Sequence, residues 1–210
     1  MQGYILKLTK SVREDLIVRL LTQNHYYTLY RFYGARHNIL LLGRHVDFEI
    51  EYQGIYIPKL RHILHLPKAY EEEASKLAIW QKFCFLLDRH LGEAEGADPK
   101  GVPPFYYDLL EDGTRRLKRQ DAQRVICYLY IELLDFEGRL YDSDRCFVCD
   151  GVLLGSVAVA RGFLLAHPSC LPNPFVFRLS DIRGLYQTKN LINLSDWDCQ
   201  ALYSVIEGGL

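Results

Sequence analysis

The chain has 210 residues, 25 Lys and Arg against 26 Asp and Glu, and 49% hydrophobic side chains. That composition excludes a disordered or fibrous protein and leaves room for one large domain or two small ones. The opening Met1-Gln2-Gly3-Tyr4-Ile5-Leu6-Lys7 lacks the apolar core of a secretion signal, and stretches such as Val157-Ala158-Val159-Ala160 are too short to span a bilayer. A cytoplasmic location is therefore expected, with Cys84, Cys127 and Cys199 as reduced thiols inside helices or against the core.

The first seventy residues read as strands: Tyr4–Leu8, Asp15–Leu21, a long run from Tyr26 to Leu42 broken at Gly34, and Val46–Tyr52. In the last of these Val46, Phe48, Ile50 and Tyr52 alternate with His45, Asp47, Glu49 and Glu51, the period of a half-buried strand. Gln53-Gly54 turns the chain into Ile55-Tyr56-Ile57 as a hairpin. Several short antiparallel strands around one core predict a small closed barrel of the oligonucleotide-binding (OB) type. Ten Lys and Arg against five acids lie between Met1 and Tyr70, together with His25, His37, His45, His62 and His65. This end suits a polyanion, and uneven charge on a solvated surface accounts for it equally well.

Within the barrel, His25-Tyr26-Tyr27-Thr28-Leu29-Tyr30-Arg31-Phe32-Tyr33-Gly34-Ala35-Arg36 combines rings with cations. In an extended strand Tyr27, Leu29, Arg31 and Tyr33 share one face and Tyr26, Thr28, Tyr30 and Phe32 the other. The face carrying Arg31 is expected to point away from the core, which makes Arg31 and Arg36 the preferred phosphate contacts. Any single tyrosine here is more readily explained as core than as a base-stacking platform.

After Pro67 the period changes. Glu71-Glu72-Glu73 marks a helix start, and Leu77, Trp80, Cys84, Leu87 and Leu91 recur at helical spacing. A Gly-, Pro- and acid-rich loop over 92–104 leads to a helix opening at Phe105–Leu110, and a longer helix is predicted from about Thr114 to Phe136, ended by Gly138. Arg115-Arg116-Leu117-Lys118-Arg119 would open that longer helix, with Arg124 further along. Cations there oppose the helix dipole, so phosphate binding is one reason for them. A solvated face offset by Glu111, Asp112 and Asp121 is the other.

The strongest chemical signal follows: Cys146-Phe-Val-Cys149, seventeen residues, then His167-Pro-Ser-Cys170. Each pair can hold one cation from a single turn, and the intervening span suits a hairpin that returns the second pair opposite the first. Four protein donors predict a structural zinc with no open position for chemistry. The flanking Leu140-Tyr141-Asp142-Ser143-Asp144 lacks the strand–helix context of a redox Cys-x-x-Cys. The chain closes with Ser195-Asp196-Trp197-Asp198, a cap for a helix over Ala201–Ile206.

Several of these pieces together resemble the RecO family of DNA repair proteins, in particular its short epsilonproteobacterial form. They are Gly3-Tyr4-Ile5-Leu6, Glu14-Asp15-Leu16-Ile17-Val18-Arg19-Leu20-Leu21-Thr22, Tyr33-Gly34-Ala35-Arg36, Trp80-Gln81, Arg124-Val125-Ile126, Phe136-Glu137-Gly138-Arg139-Leu140 and the Cys146/Cys149 pair. The resemblance implies an α+β protein: an N-terminal OB-fold β-barrel (residues 1–68), then a mainly α-helical domain (69–210) with a zinc-finger-like element at about 144–172. It also implies binding of single- and double-stranded DNA, annealing of complementary strands, and action with RecR to load RecA onto DNA coated by single-strand-binding protein, in the nucleoid. Asn24-His25 stands where the family usually has a glycine, and His167 where zinc-bearing relatives have a cysteine.

The cationic positions singled out for DNA are Lys7, Lys10, Arg13, Arg31, Arg36, Arg44, Arg115, Arg116, Lys118 and Arg119; those for metal are Cys146, Cys149, His167 and Cys170. A zinc enzyme acting on nucleic acid is the rival reading. The chain has no Gly-x-x-x-x-Gly-Lys-Ser/Thr, His-Glu-x-x-His or deaminase-type signature, so no catalytic residue is expected. A module whose barrel binds protein peptides is a third, distinguished by weak salt dependence.

Overall fold

Alternating apolar residues in the first third build five strands in the computed structural model, which describes residues 1–36, 38–54, 56–92 and 99–210. His37, Ile55 and the 93–98 part of the predicted loop lie outside the described residues. Strands β1 (Gln2–Lys10), β2 (Leu16–Leu21), β3 (His25–Arg31), β4 (His45–Gln53) and β5 (Tyr56–His65) pair in the cyclic order β1-β2-β3-β5-β4-β1, with β3 and β5 parallel. The ring closes on itself, so no long edge stays open. This is the five-stranded OB-type barrel expected from the alternation. Its core is Ile5, Leu16, Val18, Leu20, Tyr27, Leu29, Leu40, Val46, Phe48 and Leu60. Each fully buried side chain of this size contributes about 1.5–3 kcal/mol.

Of the run predicted from Tyr26 to Leu42 with a break at Gly34, only the part up to Arg31 is strand. The Asp15 carboxylate takes the Tyr30 hydroxyl at 2.5 Å and the Tyr33 N–H at 2.7 Å, while Ala35 N–H donates to the Glu14 carbonyl at 2.9 Å. These bonds pull the chain off the ladder into a short 3-10 turn at Gly34–Arg36, and Leu40 returns to the core. β5 is longer than the predicted Ile55–Ile57. Its pairing with β4 skips between Asp47/Leu64 and Glu49/Arg61, a β-bulge where His62 adopts φ 43°.

The expectation for β3 is reversed at its faces. Tyr27 and Leu29, on the Arg31 face, point into the barrel. Arg31 can share that face because it ends the strand, with a guanidinium nitrogen donating to the Leu60 carbonyl at 3.0 Å. Tyr26, on the other face, is also fully buried, its hydroxyl on Asp88.

Asp88 belongs to α1 (Ala74–Leu91), which follows Glu73 as its N-cap residue; Glu71 and Glu72 sit in the turn before it. The apolar stripe of α1, including Trp80, Phe83, Cys84 and Leu87, is buried. Gly43 accepts that stripe: its carbonyl takes the Trp80 indole N–H at 2.9 Å and the Tyr70 hydroxyl at 2.7 Å. Only glycine fits, since φ is 82° and a Cβ would stand 2.8 Å from Trp80 Cδ1. β6 (Lys100–Gly101) pairs with the start of β3, and α2 (Phe105–Leu117) completes the first compact unit, Met1–Arg119. The five barrel strands end at His65, near the expected boundary at 68, while the compact unit extends through α1, β6 and α2.

The single helix predicted from Thr114 to Phe136 is two helices. α2 ends at Leu117, and α3 (Ala122–Phe136) starts afresh with Asp121 as its cap, the carboxylate accepting the Arg124 N–H at 3.0 Å. The basic cluster therefore ends a helix, where cations favour the dipole, and the predicted conflict disappears.

The second unit, Gln120–Leu210, joins α3 to a three-stranded sheet ordered β8-β7-β9, from β7 (Ser156–Val159), β8 (Leu165–Ala166) and β9 (Val176–Arg178). Two further helices follow, α4 (Leu179–Thr188) and α5 (Asp196–Glu207). Ser195 caps α5 in a capping box with Asp198, as its sequence predicts. Arg124 is spent inside this unit, on the Leu191 and Leu194 carbonyls and on Asp196 at 2.9 Å. Cys84, Cys127 and Cys199 are buried free thiols within α1, α3 and α5. Among the described residues no helix is long and apolar enough to cross a membrane.

Candidate nucleic-acid surface and metal centre

On the barrel, the turn between β1 and β2 gathers three of the predicted cations. Lys10 ends β1 exposed and Arg13 sits in the turn at φ 59°. Arg36 reaches back to Glu14 and lies over the Tyr33 ring at 5.0 Å. The Arg36–Glu14 pair is exposed and contributes little to stability. Beside it Tyr30 and Phe32 meet edge to face at 5.0 Å, and Lys59 of β5 stands 5.0 Å over Phe32, which is 42% exposed. Hydrogen bonds from Tyr30 and from the Tyr33 amide hold the Asp15 carboxyl below its usual range. Rings edged by cations are what a single strand needs: faces for bases and charges for phosphates.

The other predicted cations are placed differently. Lys7 and Arg19 flank the buried Asp88 at 3.7 and 3.2 Å, so Lys7 belongs to an internal clamp. Arg44 is bound to Glu71 at 3.2 Å and to the Asn38 carbonyl. Arg115 and Arg116 both reach Asp112, at 3.3 and 2.6 Å, while Lys118 and Arg119 are exposed beyond α2. Arg31 is half-buried, and desolvation followed by the charge of Arg61 lowers its pKa. Sequence reasoning missed Lys59 and Arg61. Their alternation in Pro58-Lys59-Leu60-Arg61 is the signal that a longer β5 would have revealed.

A buried histidine lies elsewhere on the barrel. His45 stacks on Tyr4 with centroids 4.5 Å apart, and its Nε2 is 3.1 Å from the Tyr107 hydroxyl. Burial, then the charge of Lys68, lowers its pKa to about 4. His45 is therefore neutral near pH 7, and its 3.8 Å approach to Glu111 is not an ion pair. Glu111 instead takes the Tyr4 hydroxyl at 2.5 Å and the Lys68 ammonium at 3.1 Å.

In the second unit all four predicted metal ligands meet. The donor atoms of Cys146, Cys149, His167 and Cys170 lie within 4.8 Å of one another. A tight turn returns the Cys146 N–H to the Gly151 carbonyl at 2.8 Å and the Asp150 N–H to the Cys146 carbonyl at 2.9 Å. The β7–β8 hairpin then delivers His167, and a 3-10 turn at Pro168–Cys170 carries the last thiol. The Phe147 N–H on the Leu165 carbonyl, at 3.0 Å, ties the two pairs together. A tetrahedron with metal–sulfur bonds of about 2.3 Å has edges of about 3.8 Å, so a cation would draw this cluster in only slightly.

The protonation chemistry of the donors also fits a cation. Burial opposes ionisation of Cys146, but N–H groups of Cys149, His167 and Val148 aimed at its sulfur outweigh it and bring the thiol down to about 6. Cys170 is pushed up to about 11 by burial and by sharing hydrogen bonds with Cys149 and Cys146. A bound cation would remove that penalty by holding every sulfur as thiolate. The residues present can hold one metal ion.

Residues 1–71 match a family model described as "RecO N terminal". No curated protein matches the chain. The match covers the whole barrel and supports a DNA repair role of the RecO type. The first third of the chain is therefore similar to the N-terminal domain of the RecO family.

Proposed function

We propose that the protein is a non-enzymatic recombination mediator. It binds single- and double-stranded DNA through the barrel, anneals complementary strands and, with RecR, assists RecA loading onto DNA coated by single-strand-binding protein. The observation that carries this reading is the exposed Phe32 ring, packed edge to face on the half-buried Tyr30, with Lys59 above it and Lys10, Arg13 and Arg36 on the neighbouring turns, on a barrel matched to the RecO N-terminal domain. Stacking contributes roughly 1–3 kcal/mol per base, and each neutralised phosphate adds salt-dependent affinity. Arg115, Lys118 and Arg119 form a secondary contact in this reading, their placement already accounted for by the dipole. The ion held by Cys146, Cys149, His167 and Cys170 is zinc in a structural role, the ion best suited to three thiolates and an imidazole in a closed tetrahedral site. The protein works in the cytoplasm, at the nucleoid.

Fluorescence-monitored annealing of complementary strands, with and without single-strand-binding protein, is the test. Acceleration in both settings is expected. In the accompanying titrations Lys59→Ala should lower the salt slope by about one unit, while Phe32→Ala should weaken binding and leave the slope unchanged. A protein that neither anneals nor binds oligonucleotides at low salt would overturn the assignment.

A further inference from the structure

The barrel carries a cleft that the stacking surface does not use. It measures about 780 Å³ and opens where the β5 bulge interrupts pairing with β4. Its floor is Ile39, Ile50 and Ile63, which pack on the barrel core. A volume of this size is typical of small-ligand sites. The bulge places His62, in a left-handed conformation uncommon for residues other than glycine, on the wall.

The charges of the cleft are unevenly satisfied. Glu51 holds Arg61 at 2.6 Å and Lys59 at 3.9 Å, and Glu49 faces His62 at 3.8 Å. Arg31 lines the same cleft, and among the described residues no carboxylate lies within ion-pair distance of it. One guanidinium nitrogen is anchored on the Leu60 carbonyl at 3.0 Å, while the Nε–H is buried without a hydrogen-bond partner. Buried donors are almost always satisfied, so an orphan of this kind marks a place for an acceptor. A guanidinium offers its donors as a fork matched to two oxygens of a phosphate.

The two glutamates decide which phosphate can enter. A polynucleotide running through the cleft would bring several phosphates against Glu49 and Glu51, whereas a strand end brings one, and as a monoester it is more strongly charged than an internal diester. Continuity with the stacking surface is direct, because Lys59 stands over Phe32 and also faces Glu51 on the cleft wall. We propose that this cleft binds the terminal phosphate of a single DNA strand through the guanidinium of Arg31. The proposal rests on the DNA-binding reading above and adds to it a preference for strand ends.

The test compares oligonucleotides of one sequence carrying a 5′ phosphate, a 3′ phosphate or hydroxyls at both ends, in anisotropy titrations of the full chain at fixed salt. One phosphorylated form should bind roughly ten-fold tighter than the hydroxyl-ended form, the size expected of a charge-assisted bidentate contact. Arg31→Gln should abolish the preference while leaving hydroxyl-ended binding within about two-fold. Arg31→Lys, which keeps the charge and loses the fork, should retain only part of it. Unchanged melting temperatures exclude misfolding, and if Arg31→Gln lowers its own, the Arg31→Lys comparison decides. Equal binding of all three oligonucleotides by the wild type would overturn the end-binding cleft and leave DNA binding intact. Absence of binding to any of them would overturn the functional reading itself. Displacement of the phosphorylated strand by an equal concentration of free deoxynucleoside monophosphate would assign the cleft to free nucleotides and reject the strand end.

Discussion

His167 Nε2 lies 3.0 Å from the carbonyl oxygen of Val152, and its Nδ1 faces the sulfurs of Cys149 and Cys170 at 3.3 and 3.9 Å. The carbonyl accepts the Nε2 proton, which fixes the tautomer with a lone pair on Nδ1. The ring is thus oriented as a metal ligand by the backbone, and a histidine serves where a third Cys-x-x-Cys thiol would stand.

Metal content follows from this geometry. Purified protein should carry one zinc per chain, measured by elemental analysis after gel filtration. Cys146→Ser should lose it and lower the melting temperature of the second unit by roughly 8 °C or more, since a structural metal contributes folding energy directly. His167→Cys should keep the metal. Oligonucleotide binding by the barrel should survive in both variants, and zinc-free wild type would refute the ligand assignment.

Asp88 is fully buried and receives Arg19, Lys7 and the Tyr26 hydroxyl. Removing one member of a buried charge cluster strands the others. Asp88→Ala should therefore cost about 3–5 kcal/mol in urea unfolding. A loss below about 1 kcal/mol would mean that the cations swing out to water at no cost.

Two glycines separate strain from space. Gly43 and Gly54 both have positive φ, 82° and 58°, but a Cβ at Gly43 would collide with Trp80 while at Gly54 it meets nothing within 4 Å. Gly54→Ala should cost about 1 kcal/mol from backbone conformation alone, and Gly43→Ala about 3 kcal/mol. Equal losses in denaturant titration would show that α1 yields freely.

Acid should weaken the barrel through His45. Its folded pKa of about 4 lies below the ordinary value of 6.5, so the unfolded chain takes up a proton that the folded one refuses. Stability is full above pH 6.5 and falls as pH drops toward 4, by about 3 kcal/mol from this group. His45→Asn should flatten the stability profile between pH 6.5 and 4 relative to wild type. Carboxylates held low, such as Glu51 under its Arg61 hydrogen bond, add their own loss only at lower pH.

The barrel was legible because Val46, Phe48 and Ile50 alternate with charged residues, and a strand with one buried face can satisfy that pattern in only one way. The metal ligands were legible because two short pairs limit the geometry each turn can adopt. Less legible was the end of β3, since Phe32 and Tyr33 continue a strand-like run that only the Asp15 carboxylate interrupts. The break at 118–121 was missed for a similar reason: Arg115 to Arg124 are all acceptable in a helix, and the cap at Asp121 competes locally with continuation.

By itself, the sequence determined an alternating barrel, an amphipathic α1 and a four-donor cluster, because periodicity and spacing are properties of the local chain. Tertiary structure alone decided which face of β3 fills the core, that Lys7 and Arg44 serve internal ion pairs, that the basic run closes α2, and that Lys59 stands over Phe32. Those outcomes depend on partners far along the chain, Asp88 for Lys7 and Glu71 for Arg44. A charge is committed or free only once folding has brought its counter-charge within reach.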